Sequence, residues 1–291
     1  MRVEVVFASG CVLGESPRWD ADRAQLVWVD IEAGRLHRGD PQTGGHRATD
    51  HGELITAMVP RRRGGMVVSR RSSLVALTVD CQHTADQGGE PDEEPEVLAD
   101  LTDLPTDLRF NDGACDPAGR MWIGTMSHSR RPVASLYRLE PGGQLEEMLC
   151  GLTVSNGLDW SPDGATLYHI DTPTAGIDAF DYDVAEGSIS DRRRIIDMPD
   201  RRPDGMTVDA DGGLWVAMFG SGRVHRYTAA GELTDVVEVS TPQVTSCAFG
   251  GPALDELYIT TARIGVEDAD GGAVFRCTPG VTGRPAHAFA G

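Results

Sequence analysis

Residues 156–168 read Asn156-Gly-Leu-Asp-Trp-Ser-Pro-Asp-Gly-Ala-Thr-Leu-Tyr168. Alternating apolar and polar residues surround a Ser-Pro-Asp-Gly turn, which is typical of a β-hairpin because glycine accepts the positive φ that such turns need. The same design occurs six times along the chain. A polar residue leads, a turn rich in Pro, Asp or Gly usually follows, and an aromatic or β-branched residue comes 11 to 13 positions after the leader. The six leading residues are Glu15, Thr56, Asn111, Asn156, Asp204 and Ser246.

The spacing of these leading residues predicts the fold. They lie 41, 55, 45, 48 and 42 positions apart, which is the period of a four-stranded propeller blade. We therefore expect an all-β protein: a six-bladed β-propeller with four-stranded antiparallel blades, forming a single domain over residues 1–291. The apolar run at residues 3–7 lies outside the six repeats. We expect this N-terminal strand to pair with the last blade, which closes the ring and protects both sheet edges.

Two segments interrupt the period. Residues 81–107 are acidic and proline-rich, and they are predicted to be a solvated surface excursion without a function of their own. Residues 127–134 follow a strand-like Trp-Ile-Gly-Thr-Met run. They are expected to form a loop over one mouth of the central channel.

The composition narrows the possible partners and the compartment. The chain carries 26 basic and 45 acidic residues, a net charge of −19, which argues against nucleic acid and anionic membranes as partners. All the basic residues are arginine, so lysine chemistry is excluded. The six cysteines show no C-x-x-C spacing, and neither a signal peptide nor a membrane-spanning run is recognisable. These features predict reduced thiols, a cytoplasmic location, and a monomer or weak homo-oligomer.

The leading residues also predict where the chemistry takes place. If each leader opens the innermost strand of its blade, all six point at one mouth of the channel. Carboxylate and amide oxygens from Glu15, Asn111, Asn156 and Asp204 would then converge, and such oxygens suit a hard divalent cation. Few protein ligands leave positions for water or substrate, which is typical of a catalytic metal site. The remaining leaders, Thr56 and Ser246, are interpreted as small hydroxyls that line the channel.

Each of these residues has a simpler interpretation. Asn156 and Asp204 both precede glycine, and such pairs, taken singly, are usually turn formers. Glu15 alone could be an ordinary surface acid. The recurrence of polar leaders in the same phase across the repeats favours a shared site, because a turn former has no reason to open one blade after another.

Arg109 precedes Asn111 by two positions and would share its strand face, within reach of a substrate carbonyl or hydroxyl. An ion pair between Arg109 and either Asp107 or Asp112 is nearly as consistent with the spacing. Asp171 closes a strand-like run, and it is interpreted as a residue that supports a hairpin or the site rather than as a ligand.

Several of these motifs together resemble the regucalcin (senescence marker protein) and gluconolactonase family. They are Gly14-Glu-Ser-Pro, Arg109-Phe-Asn-Asp-Gly, Ser155-Asn-Gly-Leu-Asp-Trp-Ser161, Pro203-Asp-Gly-Met206 and Thr245-Ser-Cys-Ala-Phe-Gly-Gly251. The resemblance extends over essentially the whole chain. It implies a six-bladed propeller with one divalent metal at the channel mouth.

The resemblance also implies roles for single residues. Glu15, Asn156 and Asp204 correspond to the metal ligands, and Arg109 and Asn111 to the residues that contact the sugar lactone. The expected cofactor is one divalent cation, Ca²⁺ first, with Mg²⁺, Mn²⁺, Fe²⁺ and Zn²⁺ also compatible with oxygen ligands. Asp204 has a spare carboxylate oxygen and is our candidate for the general base.

The expected function is the metal-dependent hydrolysis of a sugar lactone to the aldonic acid, in carbohydrate metabolism. Two alternatives remain open at this point. One is a related six-bladed, calcium-dependent esterase or phosphotriesterase, and the other is a propeller that binds metal without catalysis.

The loop at residues 127–134 departs from the family pattern. Members commonly carry an acidic residue there, whereas this loop reads Ser127-His-Ser-Arg-Arg-Pro132 and has none. Arg130 and Arg131 suggest the hypothesis that the substrate bears an anionic or more oxidised group.

Overall fold

The structure is a computed structural model that describes residues 1–77 and 95–291. It contains 24 strands in six four-stranded antiparallel sheets. Blade 1 consists of β2 (Gly14–Asp20), β3 (Gln25–Asp30), β4 (Arg35–Gly39) and β5 (His46–Asp50). Blade 2 consists of β6 (Ala57–Pro60), β7 (Met66–Ser69), β8 (Ser73–Leu77) and β9 (Glu96–Asp100). Blade 3 consists of β10 (Leu108–Cys115), β11 (Met121–Ser127), β12 (Ala134–Leu139) and β13 (Leu145–Leu152).

The second half of the chain repeats this plan. Blade 4 consists of β14 (Ser155–Trp160), β15 (Thr166–Asp171), β16 (Gly176–Asp183) and β17 (Ser188–Asp197). Blade 5 consists of β18 (Pro203–Val208), β19 (Leu214–Met218), β20 (Arg223–Tyr227) and β21 (Leu233–Glu238). Blade 6 combines β22 (Val244–Gly250), β23 (Glu256–Thr261) and β24 (Val274–Cys277) with β1 (Glu4–Phe7). One short 3₁₀ helix, Thr172–Thr174, follows β15.

The blades form a closed ring around a channel. The innermost strands β2, β6, β10, β14, β18 and β22 contact one another in that order, and β22 returns to β2. The predicted six-bladed β-propeller is therefore confirmed. The predicted closure is also confirmed, since β1 pairs antiparallel with β24 at the outer edge of blade 6. Blade 6 is thus built from both ends of the repeat region.

The core lies between neighbouring blades as six apolar clusters. The aromatic and β-branched residues that trail each sequence repeat all lie on second strands and are buried. They are Trp28, Val67, Trp122, Tyr168, Trp215 and Tyr258. The regular spacing in the sequence therefore reflects one buried side chain per blade, packed against a neighbouring blade.

Residues 282–291 cross the end of the channel where the innermost strands finish. Ala210 N donates to Thr282 O at 2.9 Å, and the Arg284 Nη2 donates to Trp160 O at 2.6 Å. Phe289 N donates to Pro60 O at 2.8 Å, and its ring is fully buried between blades 2 and 3. This crossing segment therefore ties blades 2, 4 and 5 together, a contact that the sequence did not predict.

Only part of the prediction for residues 81–107 can be compared with the structure. Residues 81–94 lie outside the described residues. Residues 96–100 are not a surface loop but form β9, the outer strand of blade 2. The segment ends at Asp107, which belongs to the channel-mouth loop described below.

The described cysteines are free: Cys11, Cys115, Cys247 and Cys277 are buried, and Cys150 is exposed. Within the described residues, no helix has the length and apolar character needed to cross a membrane.

Candidate functional site

The innermost strands are irregular at the positions that the sequence singled out. Register shifts fall between Glu15 and Arg18 in β2, Phe110 and Gly113 in β10, Ser155 and Leu158 in β14, and Pro203 and Met206 in β18. A β-bulge inserts an extra residue and re-aims the side chains beside it. Because these four bulges lie toward the same end of their innermost strands, they turn the predicted side chains toward the same mouth of the channel.

The glycines beside Asn156 and Asp204 are not turn residues. Gly157 and Gly205 lie within β14 and β18, and neither has a positive φ. A Cβ on Gly157 would stand 2.7 Å from the Asp204 carbonyl oxygen and 2.7 Å from Met206 N. The turn-former interpretation is therefore wrong: these glycines allow neighbouring innermost strands to approach closely.

The predicted arginine and amides form one hydrogen-bonded chain. The Arg109 Nη1 donates to Asn111 Oδ1 at 2.8 Å, and Asn111 Nδ2 donates to Asn156 Oδ1 at 2.7 Å. Asn156 Nδ2 then donates to Thr172 Oγ1 at 2.7 Å, and that hydroxyl donates to Pro203 O at 2.7 Å. The chain links blades 3, 4 and 5 and fixes the orientation of both amides.

Arg109 is buried, with 4% of its surface exposed. It donates to Asn111 and to the Phe110 carbonyl oxygen, so the predicted alternatives, ion pairs with Asp107 or Asp112, are wrong. Its Nε is buried and has no acceptor among the described residues. Burial lowers the Arg109 pKa, although the Glu32, Glu15 and Asp204 carboxylates oppose that effect.

Three carboxyl groups share the channel. Glu15 and Asp204 are 8% and 9% exposed. Burial raises the pKa of each well above its usual range, and neighbouring carboxylates add to the rise: Asp204 and Asp112 for Glu15, and Asp112 for Asp204. The Asp112 pKa is also raised by burial, while Arg18 opposes it. Acids held together in this way favour a compensating cation, because removing water from a carboxylate costs free energy.

The Asp204 carboxylate is the group most available to bind a ligand. It accepts no hydrogen bond and forms no ion pair with any described residue, although it is buried. Glu15 Oε2 accepts only the Ser16 N–H at 3.0 Å. Asn156 Oδ1 accepts one N–H and keeps a second acceptor position. These oxygens fit a hard divalent cation such as Ca²⁺, which takes carboxylate, amide and water oxygens.

A second cluster, of Cys11, Asp30 and His37, brings possible ligand atoms within 4.8 Å of one another. The Cys11 Sγ lies 3.7 Å from His37 Nε2. Asp30, however, already accepts the Val12, Leu13 and Ala33 N–H groups. This set of contacts anchors the entry to β2.

Blade 4 shows that this anchor belongs to the blade design. Asp171 accepts the Thr153 N–H at 3.1 Å and the Val154 N–H at 2.8 Å, at the entry to β14. Both acids end a second strand and hold the residues that lead into the innermost strand. We therefore interpret Asp30 as structural, and the prediction that Asp171 supports its surroundings agrees with its contacts.

The loop between β11 and β12 is held by an acid from another part of the chain. Asp107 accepts the Ser127 hydroxyl at 2.7 Å and the Ser129 N–H at 2.9 Å. These hydrogen bonds lower the Asp107 pKa to about 2. Arg131 pairs with the same carboxylate at 3.7 Å. The loop itself contains no acid, as its sequence shows, but Asp107, twenty positions earlier, supplies a carboxylate that holds it.

A cavity of about 660 Å³ lies at the opposite end of the channel. It is lined by the far ends of the innermost strands and by residues 284–288 of the crossing segment. The cavity lining does not include the predicted site residues, which are Glu15, Arg109, Asn111, Asn156 and Asp204, so the predicted chemistry and this cavity occupy different ends of the ring.

Fold and site together define the class: a six-bladed propeller with a buried, oxygen-rich acidic cluster at one mouth of its channel. The family model "SMP-30/Gluconolactonase/LRE-like region" matches residues 13–263. The chain belongs to this family, as its motifs predicted.

Individual relatives agree with the family assignment. The chain is 34% identical to rabbit (Oryctolagus cuniculus) regucalcin over 307 residues, which covers 100% of the chain and 99% of the relative. It is 37% identical to a pentonolactonase of Haloferax volcanii over 300 residues, with 98% and 97% covered. Among solved structures, a luciferin-regenerating enzyme aligns with a TM-score of 0.90 at 31% identity, covering 99% of both chains. A calcium-binding regucalcin of Agrobacterium tumefaciens aligns with a TM-score of 0.89 at 26% identity, covering 98% and 96%.

Sequence reasoning missed three residues of the site. Asp112 lies inside the Arg-Phe-Asn-Asp-Gly motif, but strict strand alternation would turn it away from Asn111, and only the bulge brings it into the channel. Thr172 comes from a 3₁₀ helix that no repeat pattern indicates. Arg202 stands two positions before Asp204, and its charge acts on the Asp204 carboxyl. Its proximity to a predicted ligand was the one available signal.

Proposed function

We propose that this protein is a divalent-metal-dependent lactonase that opens a sugar lactone to the aldonic acid. The observation that carries the proposal is the buried, unpartnered Asp204 carboxylate beside Glu15 and the Asn111–Asn156 amide pair. Family membership and the lactonase name of the Haloferax volcanii relative support the same reaction. The free thiols of the described chain suit a reducing compartment, so the proposal keeps the cytoplasm as its place of action.

Glu15, Asn156 and Asp204 would hold the cation, with Ca²⁺ as the first candidate because a structural relative is described as calcium-binding. A bound divalent cation would supply Lewis-acid polarisation of an ester carbonyl and a lower pKa for water. The assignment rests on the donor set, which consists of two carboxylates and one amide in a buried pocket.

The remaining steps belong to the side chains. Arg109 and Asn111 would orient the ring. The Arg109 Nε has no acceptor of its own and can donate to a lactone oxygen, and Asn111 Oδ1, which accepts the Arg109 Nη1–H, keeps a second acceptor position for a sugar hydroxyl. Water adds to the ester carbonyl carbon, and Asp204 accepts its proton as general base. The bond between that carbon and the ring oxygen then breaks. The proton passes to the departing ring oxygen, which leaves a hydroxy acid.

The proposal is tested with Asp204→Asn and Glu15→Gln, measuring bound metal by elemental analysis and lactone opening by proton release. Each variant should keep the fold, lose the stoichiometric metal and lose hydrolysis by at least about a thousandfold. Asp211→Asn is the control, since it removes the same charge from an exposed turn at the far end of blade 5. Full hydrolysis by Asp204→Asn would contradict the assignment, and turnover of aryl esters without lactones would favour an esterase.

A further inference from the structure

The site is flanked by positive charge, although the protein as a whole carries a net charge of −19. Leu108 pairs with Ser127 and Arg109 with Met126 across β10 and β11. The loop after Ser127, which contains Arg130, therefore starts at the same end of the channel as Arg109.

The pairing of β18 with β19 places Arg202 at the same mouth. It immediately precedes Pro203, the first residue of β18, which pairs with Met218. Its carbonyl oxygen accepts the Phe219 N–H at 3.0 Å, and its guanidinium lies 4.9 Å from the centre of the Phe219 ring. Stacking on an aromatic face positions the charge without neutralising it.

Arg130 is held in place by its neighbours. It adopts a φ of 57° in a turn whose Ser127 and Ser129 are fixed by Asp107. The adjacent Arg131 pairs with Asp107, whereas Arg130 does not. Arg131 therefore stabilises the loop itself, whereas the Arg130 guanidinium is available to bind a ligand.

Neither Arg130 nor Arg202 forms an ion pair with any carboxylate in the described part of the chain. Both guanidinium groups lie within electrostatic reach of the Asp204 carboxyl, and Arg130 also lies within reach of Arg109. The exposed Glu32 carboxylate acts on Arg109 from blade 1, so the positive side of the mouth is the one formed by blades 3 and 5.

We infer that the substrate is a sugar lactone bearing a second, anionic group, a carboxylate or a phosphate, which Arg130 and Arg202 bind at the channel mouth. The inference rests on the proposed lactonase function and adds the class of substrate. Guanidinium groups present several N–H donors in a planar fork that matches carboxylate and phosphate oxygens. A neutral polyol has no need of two unpaired arginines.

The experiment compares three lactones at low salt: gluconolactone, a monolactone of glucaric acid, and gluconolactone phosphorylated at its terminal hydroxyl. The wild-type protein should show a kcat/KM at least about tenfold higher for one of the anionic lactones than for gluconolactone. That preference should shrink as salt is added, because exposed charges are screened. Comparing the glucaric and phosphorylated substrates shows whether the site prefers a carboxylate or a phosphate.

The variants Arg130→Gln and Arg202→Gln should each lower the ratio of anionic to neutral kcat/KM by roughly tenfold, with Arg130→Lys restoring part of it. Arg63→Gln is the control, because it removes one positive charge from the exposed turn at the far end of blade 2. Equal ratios in the wild type and in both variants would overturn the inference while leaving the lactonase proposal intact. Failure to hydrolyse any of the three lactones would instead contradict the proposed function.

Discussion

At the scale of single residues, the site is a compromise between burial and charge. Glu15, Asp112 and Asp204 would all be more stable in water, and burial raises the pKa of each. Glu15 and Asp112 each accept one backbone N–H and Asp204 accepts none, whereas Arg109 and Thr172 hydrogen-bond the two amides. The free energy stored in these unpaired acids is available to bind a cation.

The Asp112→Asn variant tests whether Asp112 is itself a cation ligand or only a negative charge near the cation. If Asp112 contributes only its charge, this variant keeps one cation per chain and its lactonase activity at saturating metal, while cation affinity falls by about tenfold. Isothermal titration of the chelated protein measures the stoichiometry and the affinity, and proton release from a lactone measures the activity. Loss of stoichiometric binding would show that Asp112 is itself a ligand.

The buried histidines make stability depend on pH. Burial lowers the pKa of His37 and of His169 to about 4 from the ordinary 6.5. Between these values the unfolded chain binds more protons than the folded one, so stability falls as pH falls through this window. Each histidine should cost about 2 kcal/mol between pH 7 and pH 5.

Urea unfolding of His169→Gln at the two pH values tests this. The variant should lose about half of the pH dependence that the two histidines produce, even though it is less stable at pH 7, because the bond between His169 Nε2 and Ser155 Oγ is removed. The exposed His128→Gln serves as the control and should follow the wild type. An unchanged slope for His169→Gln would contradict the assigned role.

At the scale of elements, bulged innermost strands and close-packed glycines make the site. The phase of the repeats was sufficient to predict that Glu15, Asn111, Asn156 and Asp204 share a mouth, because every blade begins in the same way. Asp112 could not be predicted, because a bulge breaks the two-residue alternation that tells on which side of the strand a side chain lies. Asp107 was missed because its contact with Ser127 joins two segments that no repeat connects.

Gly157→Ala tests the close approach of β14 and β18. The added methyl would stand 2.7 Å from two backbone atoms, the Asp204 oxygen and Met206 N, so one strand must move. We expect a loss of about 1–3 kcal/mol in the free energy of unfolding, together with weaker cation binding because Asn156 is displaced. Gly142→Ala, where nothing lies within 4 Å of the new methyl, should change neither. Wild-type stability of Gly157→Ala would contradict this packing.

At the scale of the whole molecule, the ring is closed twice. β1 completes blade 6, which the sequence predicted from one apolar strand outside the six repeats. Residues 282–291 add the second closure across the far end of the channel. This crossing segment has no strand periodicity and was invisible to repeat analysis, because its hydrogen bonds go to five separate blades, 2 to 6.

Phe289→Ala tests the second closure. The ring is fully buried in the cluster between blades 2 and 3, so its removal should lower the free energy of unfolding by about 3–5 kcal/mol. Leu233→Ala, at a side chain that is 48% exposed, should change it by less than about 0.5 kcal/mol. Denaturant unfolding measures both, and equal effects would show that the crossing segment adds nothing to the ring.

The central claim is that the acids at the channel mouth perform metal-dependent lactone hydrolysis. The direct measurement is proton release from a sugar lactone by the chelated protein, corrected for spontaneous opening, before and after addition of Ca²⁺, Mg²⁺, Mn²⁺, Fe²⁺ or Zn²⁺. We predict that chelation abolishes hydrolysis and that at least one cation, Ca²⁺ first, restores it at one ion per chain. Hydrolysis that continues undiminished after complete chelation would contradict the claim.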